Sequence, residues 1–310
     1  MKEKYNILLA TDYSDAVMNV ERYAVQFAVK TNSDITLLHV YEEPFVSLFM
    51  ETDVAGQLLK YRKHELKRLK DHRNELLNAL NIKKQELHCD CIVKKGNVGT
   101  QILYEAKKIY YDIIIIGTHG ASGFRETFFG THAWEVIKNA SIPVLAIPQD
   151  ALFTGIKKMG FATEFREGEI PIIQFLSHLS KQLDAELTIL HVINYTISKD
   201  YEKQLTKEFL NEIKSQTNNN SLSIQIIKNE NLTEGLNNYC LNNHVDWLIM
   251  SPEKQFLFEK IFSPGSSAVK KMTFQTQIPL FTIPDFYNPK FAKILDIIDV
   301  NTDMSEEFEN

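Results

Sequence analysis

Thr36-Leu37-Leu38-His39-Val40 and Thr188-Ile189-Leu190-His191-Val192 are one apolar strand pattern written twice, 152 residues apart. Ala10-Thr11-Asp12 returns in the same register as Ala162-Thr163-Glu164. Farther on, Tyr111-Asp112-Ile113-Ile114-Ile115-Ile116 returns as Val245-Asp246-Trp247-Leu248-Ile249-Met250, and Ser141-Ile142-Pro143-Val144-Leu145-Ala146-Ile147-Pro148 as Gln277-Ile278-Pro279-Leu280-Phe281-Thr282-Ile283-Pro284. The offset falls to 134 between Asp112 and Asp246, so the second copy is shorter in its middle. A repeat of this length fixes the architecture before any motif is considered. It predicts domains over 1–150 and 155–284, followed by a tail over 285–310.

Within each copy short apolar runs alternate with longer helical patterns, the mark of βαβ units around a parallel sheet. In the first copy the runs predict strands at 6–10, 35–40, 87–93, 112–116 and 144–147. Ser14 is placed to cap a helix whose inner face carries Val17, Val20, Ala24 and Phe27, and Leu59, Leu66, Leu69, Leu76 and Leu80 stripe a second helix. Tyr201, Leu205, Phe209 and Ile213 mark its shortened counterpart. Open α/β sheets bind ligands beyond the carboxyl ends of their strands, at the switch in strand order. If strands one and four are neighbours, Asp12 and Gly117 converge on one crevice.

Bulk properties bound the function. The 310 residues carry a net charge of -6, so nothing supplies the broad basic surface needed for sequence-independent nucleic-acid binding. The longest apolar runs fall far short of the roughly 20 residues that span a bilayer. The start, MKEKYNILLATD, lacks the apolar core and cleavage site of a secretory leader, and a cytoplasmic protein without membrane contact is expected. Cys89, Cys91 and Cys240 have no metal-ligand spacing and read as reduced core thiols. The tail after Pro284 carries seven acidic and two basic residues and reads as a solvated end.

The fourth strand runs into Gly117-Thr118-His119-Gly120-Ala121-Ser122-Gly123-Phe124-Arg125-Glu126-Thr127-Phe128-Phe129-Gly130-Thr131-His132-Ala133-Trp134. Strand, glycine loop and helix start form a phosphate-site layout. Glycines let the backbone approach an anion, and a helix start offers free N–H groups. Two isolated glycines would equally serve as a flexible connector. Four glycines, a hydroxyl at the helix start and an acidic residue after strand one make a more specific set.

That combination resembles the ATP-binding class of the universal stress protein family, in a tandem two-domain form. The family's loop reads G-x2-G-x9-G-[ST], and Gly117, Gly120, Gly130 and Thr131 fit each position. Ala10-Thr11-Asp12, Leu38-His39-Val40 and Ser141-Ile142-Pro143-Val144 add to the likeness. It covers most of 1–148 and, more weakly, 155–284. The resemblance implies five-stranded parallel sheets of order 3-2-1-4-5, of the adenine nucleotide alpha-hydrolase-like kind. It also implies ATP, with Mg2+ as an optional companion, over strands one and four. By position Ala10, Thr11 and Asp12 would meet the adenosine near ribose, Val40 would read the adenine edge through its backbone, and Gly117, Gly120, Gly130 and Thr131 would cradle phosphates. His119 lies inside the loop. His132 stands where the family has a small apolar residue, and both histidines are phosphate-side candidates, although a side chain in a first helical turn ordinarily faces solvent. His39 reads as a hydrogen-bonded core histidine.

The second copy keeps Glu164, Val192 and Gly265-Ser266 but replaces Gly117 by Ser251 and Gly120 by Lys254, with Pro252 removing an amide donor. It is therefore expected to be a degenerate domain. No P-loop lysine motif and no paired carboxylates flank the site. The expected role is nucleotide-dependent sensing or protein interaction in stress response. The alternatives are a slow ATPase, an adenylyl-transferring enzyme, or a non-binding scaffold. Expected partners are an adenine nucleotide and an unknown protein. The fifth strands, at 144–147 and 280–283, can pair within the chain or build a homodimer.

Overall fold

Five strands alternate with four helices along the first half of the chain; the structure, a computed structural model, describes residues 4–42, 54–108, 111–118, 130–165, 169–193, 203–204, 206–211, 213, 222–251 and 278–284. They are β1 (Asn6–Thr11), α1 (Asp15–Lys30), β2 (Asp34–Tyr41), α2 (Val54–Ala79), β3 (Cys89–Lys95), α3 (Val98–Ala106), β4 (Ile113–Gly117), α4 (Thr131–Asn139) and β5 (Val144–Ile147). Contacts divide the chain into two units, residues 1–155 with 269–282, and 156–268 with 283–310.

In the first unit the strand order is β3-β2-β1-β4-β5, all parallel. This is the order that the resemblance implies. All five residues of β4 and all four of β5 are buried, as expected of strands covered on both faces. The inner face of α1 buries Val17, Val20, Ala24 and Phe27 as the spacing predicts, and it buries Glu21 with them. Ser14 occupies the N-cap of α1, but its side chain makes no capping hydrogen bond. The stripe of α2 is only partly apolar: Leu69 and Leu76 are buried, Leu66 is half-buried, and Leu59 is exposed. The buried position between them goes to Glu65. Beyond β5, a strand β10 (Leu280–Thr282) pairs antiparallel with it, Phe281 opposite Leu145.

The second unit contains β6 (Lys158–Ala162), α5 (Ile170–Leu183), β7 (Glu186–Ile193), β8 (Ser223–Lys228), α6 (Leu232–Asn242) and β9 (Trp247–Met250). Its order is β8-β7-β6-β9, parallel throughout. Strands one to four of the first unit are thus repeated in arrangement. Phe209 and Ile213 are buried, as their apolar spacing predicts. The N–H of Ile283 donates to the Met250 carbonyl at 3.1 Å.

Among the described residues no helix is long and apolar enough to cross a membrane. The three cysteines are unpaired, and burial pushes the Cys89 and Cys240 thiols up to about 12. Such thiols are poor nucleophiles at neutral pH, which agrees with a packing role. The tail after residue 284 lies outside the described residues.

Candidate functional site

β1 and β4 begin as neighbours and then part. Their paired register runs from Ile7 opposite Ile113 to Leu9 opposite Ile115. β1 continues along β2 until Thr11 faces His39, while β4 continues along β5 until Gly117 faces Ile147. Pairing between the two strands stops there while each continues along its outer neighbour, which makes this the switch point of the sheet, where open α/β folds place a ligand crevice.

Asp12 lies exposed on one wall, where its Oδ1 accepts from the Ser14 N–H at 3.0 Å. That turn points the chain from β1 into α1 and holds the carboxylate at the strand tip. Ala10 and Thr11 are buried beneath it. Val40, half-buried, sits one residue beyond His39 on β2. On the opposite wall the Gly130 N–H donates to the Thr118 carbonyl at 2.7 Å, and the Thr118 N–H donates to the Ile147 carbonyl at 3.0 Å. These bonds tie the start of α4 to the end of β4.

Gly130 is the N-cap of α4, with φ -55° and ψ 152°. Any residue adopts those angles, so the backbone conformation does not itself require glycine there. Thr131 and His132 are exposed in the first turn of α4, where helical N–H groups have no intrahelical acceptor. His119 and Gly120 lie outside the described residues, so of the predicted site the structure describes Ala10, Thr11, Asp12, Val40, Gly117, Gly130, Thr131 and His132.

A polar cluster that the sequence reading missed supports the β1 tip from the α1–α2 face. The Thr11 hydroxyl donates to the Glu21 carboxylate, and His72 Nε2 reaches both Glu21 oxygens, at 2.9 and 2.8 Å. His39 Nδ1 lies 2.9 Å from the Thr11 carbonyl. A carbonyl only accepts, so Nδ1 carries the proton, and His39 is the hydrogen-bonded core histidine its strand position predicts. Burial holds its pKa below the ordinary histidine value, whereas the hydrogen bond that His72 donates to Glu21 holds its own pKa above it. The available signal was a glutamate at 21, within a helix stripe otherwise made of Val17, Val20, Ala24 and Phe27.

Between the tip and the cluster, Tyr13 adopts φ +62°, a left-handed conformation that costs a bulky residue about 1 kcal/mol or more. The second unit repeats the device. Thr163 bonds Glu169, His191 Nδ1 lies 2.9 Å from the Thr163 carbonyl, and Phe165 has φ +59°. Ser251, at the place of Gly117, is half-buried; Pro252, Lys254 and Gly265-Ser266 lie outside the described residues.

The profile of the universal stress protein family matches residues 5–148. A universal stress protein of Methanocaldococcus jannaschii is 30% identical over 145 residues, covering 46% of this chain and 80% of that protein. A second from the same organism is 28% identical over 154 residues, covering 46% of this chain and 93% of its own. Among solved structures, a universal stress protein from Archaeoglobus fulgidus superposes with a TM-score of 0.63 at 16% identity, covering 91% of this chain and 96% of that one, which is a likeness of fold. With that fold and a relative matched over most of its length, the chain belongs to the universal stress protein family.

Proposed function

We propose that the first unit binds ATP in the crevice between β1 and β4, and that the chain acts in stress response as a cytoplasmic nucleotide-dependent sensor or interaction module. The parting of β1 and β4 carries this reading. It leaves the ends of β1 and β4 at the switch point of the sheet, where in this reading Asp12 would face the backbone donors at the start of α4. A carboxylate accepts from ribose hydroxyls, and backbone N–H groups with a threonine hydroxyl donate to phosphate oxygens. Asp12 would hold the ribose, Val40 the adenine edge, and Gly117, Gly120, Gly130 and Thr131 the phosphates, with His119 and His132 beside them. Mg2+ would arrive on the phosphates. The organisation that accompanies this reading is a binding domain at 1–150, a degenerate one at 155–284 and an acidic tail at 285–310. An unidentified protein is the downstream partner, and a homodimer is a further form the chain would take.

Thermal denaturation with ATP and with GTP tests the reading. Ligand at about 100 times its dissociation constant stabilises by about 2.7 kcal/mol, which raises the midpoint by several degrees. ATP should shift the first unit upward and GTP should not, because the base is read by backbone groups at Val40. Equal shifts, or none, would remove the assignment.

A further inference from the structure

The hydroxyl of Thr11 ties the turn that carries Asp12 to the body of the first unit. It accepts from the Tyr13 N–H at 3.3 Å, across Asp12, and donates to the Glu21 carboxylate on α1. Glu21 has no exposed surface, so its oxygens depend on the donors that the protein brings to them. Besides Thr11 they meet His72 of α2, whose Nε2 lies 2.9 and 2.8 Å from the two of them. The His72 side chain keeps 21% of its surface exposed against 1% for Glu21, so the imidazole is open to protons from water while the carboxylate is shut away. A chain of contacts thus runs from a solvent-accessible histidine to the turn on which the nucleotide reading places the ribose.

The second unit offers a comparison within the same chain. Thr163 bonds Glu169 and accepts from the Phe165 N–H at 2.9 Å, so the tie itself is repeated. What differs is the ring beside it. Tyr13 lies 4.3 Å from His39 and 5.2 Å from His72, whereas Phe165 lies 4.1 Å from His191 and 4.5 Å from Phe209. Phe209 therefore takes, beside Phe165, the place that His72 takes beside Tyr13. A phenyl ring is enough to build this corner of the fold, and it carries no proton. The titratable ring belongs to the unit that keeps Gly117 and Gly130.

We infer that His72 is a positioning residue for the nucleotide site: protonated, it holds Glu21 and, through Thr11, fixes Asp12 for the ribose, and neutral, it loosens that hold. This role rests on the crevice between β1 and β4 being the ATP site. An imidazolium brings a full opposite charge to a carboxylate that water does not reach, whereas a neutral imidazole brings only a dipole. ATP affinity is therefore full while His72 is protonated and falls as pH rises through its folded pKa, which the hydrogen bond to Glu21 holds above the ordinary histidine value. The groups around His72 leave that titration to it. On its own helix Arg68 and Glu75 act in opposite directions, and Glu65 lies 3.9 Å from His39. Burial holds Tyr13 and, on β3, Cys91 above their ordinary values and His39 of β2 below its own, so all three are chiefly neutral from about pH 6.5 to about pH 9.

Calorimetric titration of the full chain with ATP at about pH 6.5 and about pH 9 tests the coupling, with His72→Gln and His72→Arg measured beside the wild type at a temperature where far-UV dichroism shows all three folded. Wild-type affinity should exceed that of His72→Gln about fivefold at the lower pH and equal it at the higher, and ATP's own ionisation cancels in that ratio. His72→Arg, charged at both pH values, should bind as tightly as the protonated wild type and keep that advantage at the higher pH. Salt raised to about 0.5 M should leave the ratio in place, because a bare attraction between His72 and the phosphates would be screened. Reciprocally, bound ATP should raise the pH at which the His72 ring signals titrate in NMR spectra. A ratio that is the same at both pH values, a ratio that vanishes in salt, an arginine variant that loses affinity with the wild type, or an unmoved His72 titration overturns the coupling and leaves ATP binding intact. Absence of ATP binding at both pH values overturns the nucleotide reading itself, and the coupling with it.

Discussion

A carboxylate with no exposed surface is stable only where donors meet it, and Glu21 is met by the Thr11 hydroxyl and by His72. This small network gives the first unit opposing dependences on pH. His72 has a folded pKa raised above the ordinary 6.5, so its stabilisation is complete below that value and is lost as pH rises through the folded pKa. His39 has a folded pKa lowered from 6.5, so the folded state resists its protonation, and stability is lost as pH falls from 6.5 through the folded pKa. Stability should therefore peak near the ordinary histidine pKa. Urea midpoints between about pH 5 and 9 should show His72→Gln abolishing the loss on the alkaline side and His39→Gln the loss on the acid side. An unchanged alkaline slope in His72→Gln would show that the Glu21 contact does not persist in solution.

At the scale of elements, helix and strand positions were legible because period and flanking turns agree. β5 falls where its apolar run predicts, β1 and β2 extend the predicted runs by one and two residues, and β4 is shifted one residue toward its carboxyl end, because parallel pairing continues past the last apolar side chain. β3 begins at Cys89 rather than at residue 87. The divergence of β1 from β4 was expected only conditionally, since the pattern of apolar runs does not say which strands are neighbours. The burial of Glu65 and the contact of His72 with Glu21 were not legible, because α2 reads as a leucine stripe and its polar residues as a solvated face.

Two glycines separate packing from ligand approach. A Cβ at Gly235, on α6, would lie 2.9 Å from Asn229 Cβ, 3.2 Å from Ile227 Cγ2 and 3.3 Å from Val192 Cγ1. These atoms sit close to the backbone and yield little, so Gly235→Ala should destabilise the second unit by about 1–3 kcal/mol, seen as a lower urea midpoint without loss of nucleotide response. Gly130→Val should do the opposite. It meets no backbone restriction at φ -55°, so the melting temperature without ligand should move little while the ATP-induced shift disappears. Full ATP affinity in that variant would mean that the loop after β4 is only a connector.

Across the molecule, the two units share strand order and the support beneath the first strand's tip, yet differ in the residues that would face a nucleotide. The Thr163–Glu169 bond, the His191 contact and the left-handed Phe165 persist in the second unit, which marks them as requirements of the fold. The glycine wall does not persist, since Ser251 follows β9 where Gly117 ends β4. Glu164 keeps the charge of Asp12, but its N–H is turned to Glu169 at 3.3 Å, and the sequence beyond it offers Pro252 and Lys254 in place of amide donors and Gly120. Lysine is a capable phosphate binder elsewhere, so charge alone would not exclude a second nucleotide. A side chain standing where the loop backbone should approach the phosphates nevertheless competes for the space it would have to fill. Calorimetric titration of the full chain should therefore give a stoichiometry of about one ATP, and an Asp12→Ala, Gly130→Val double variant should give none. A stoichiometry of two, or residual tight binding in that double variant, would place a working site in the second unit and show that Ser251 and Lys254 can replace a glycine cradle.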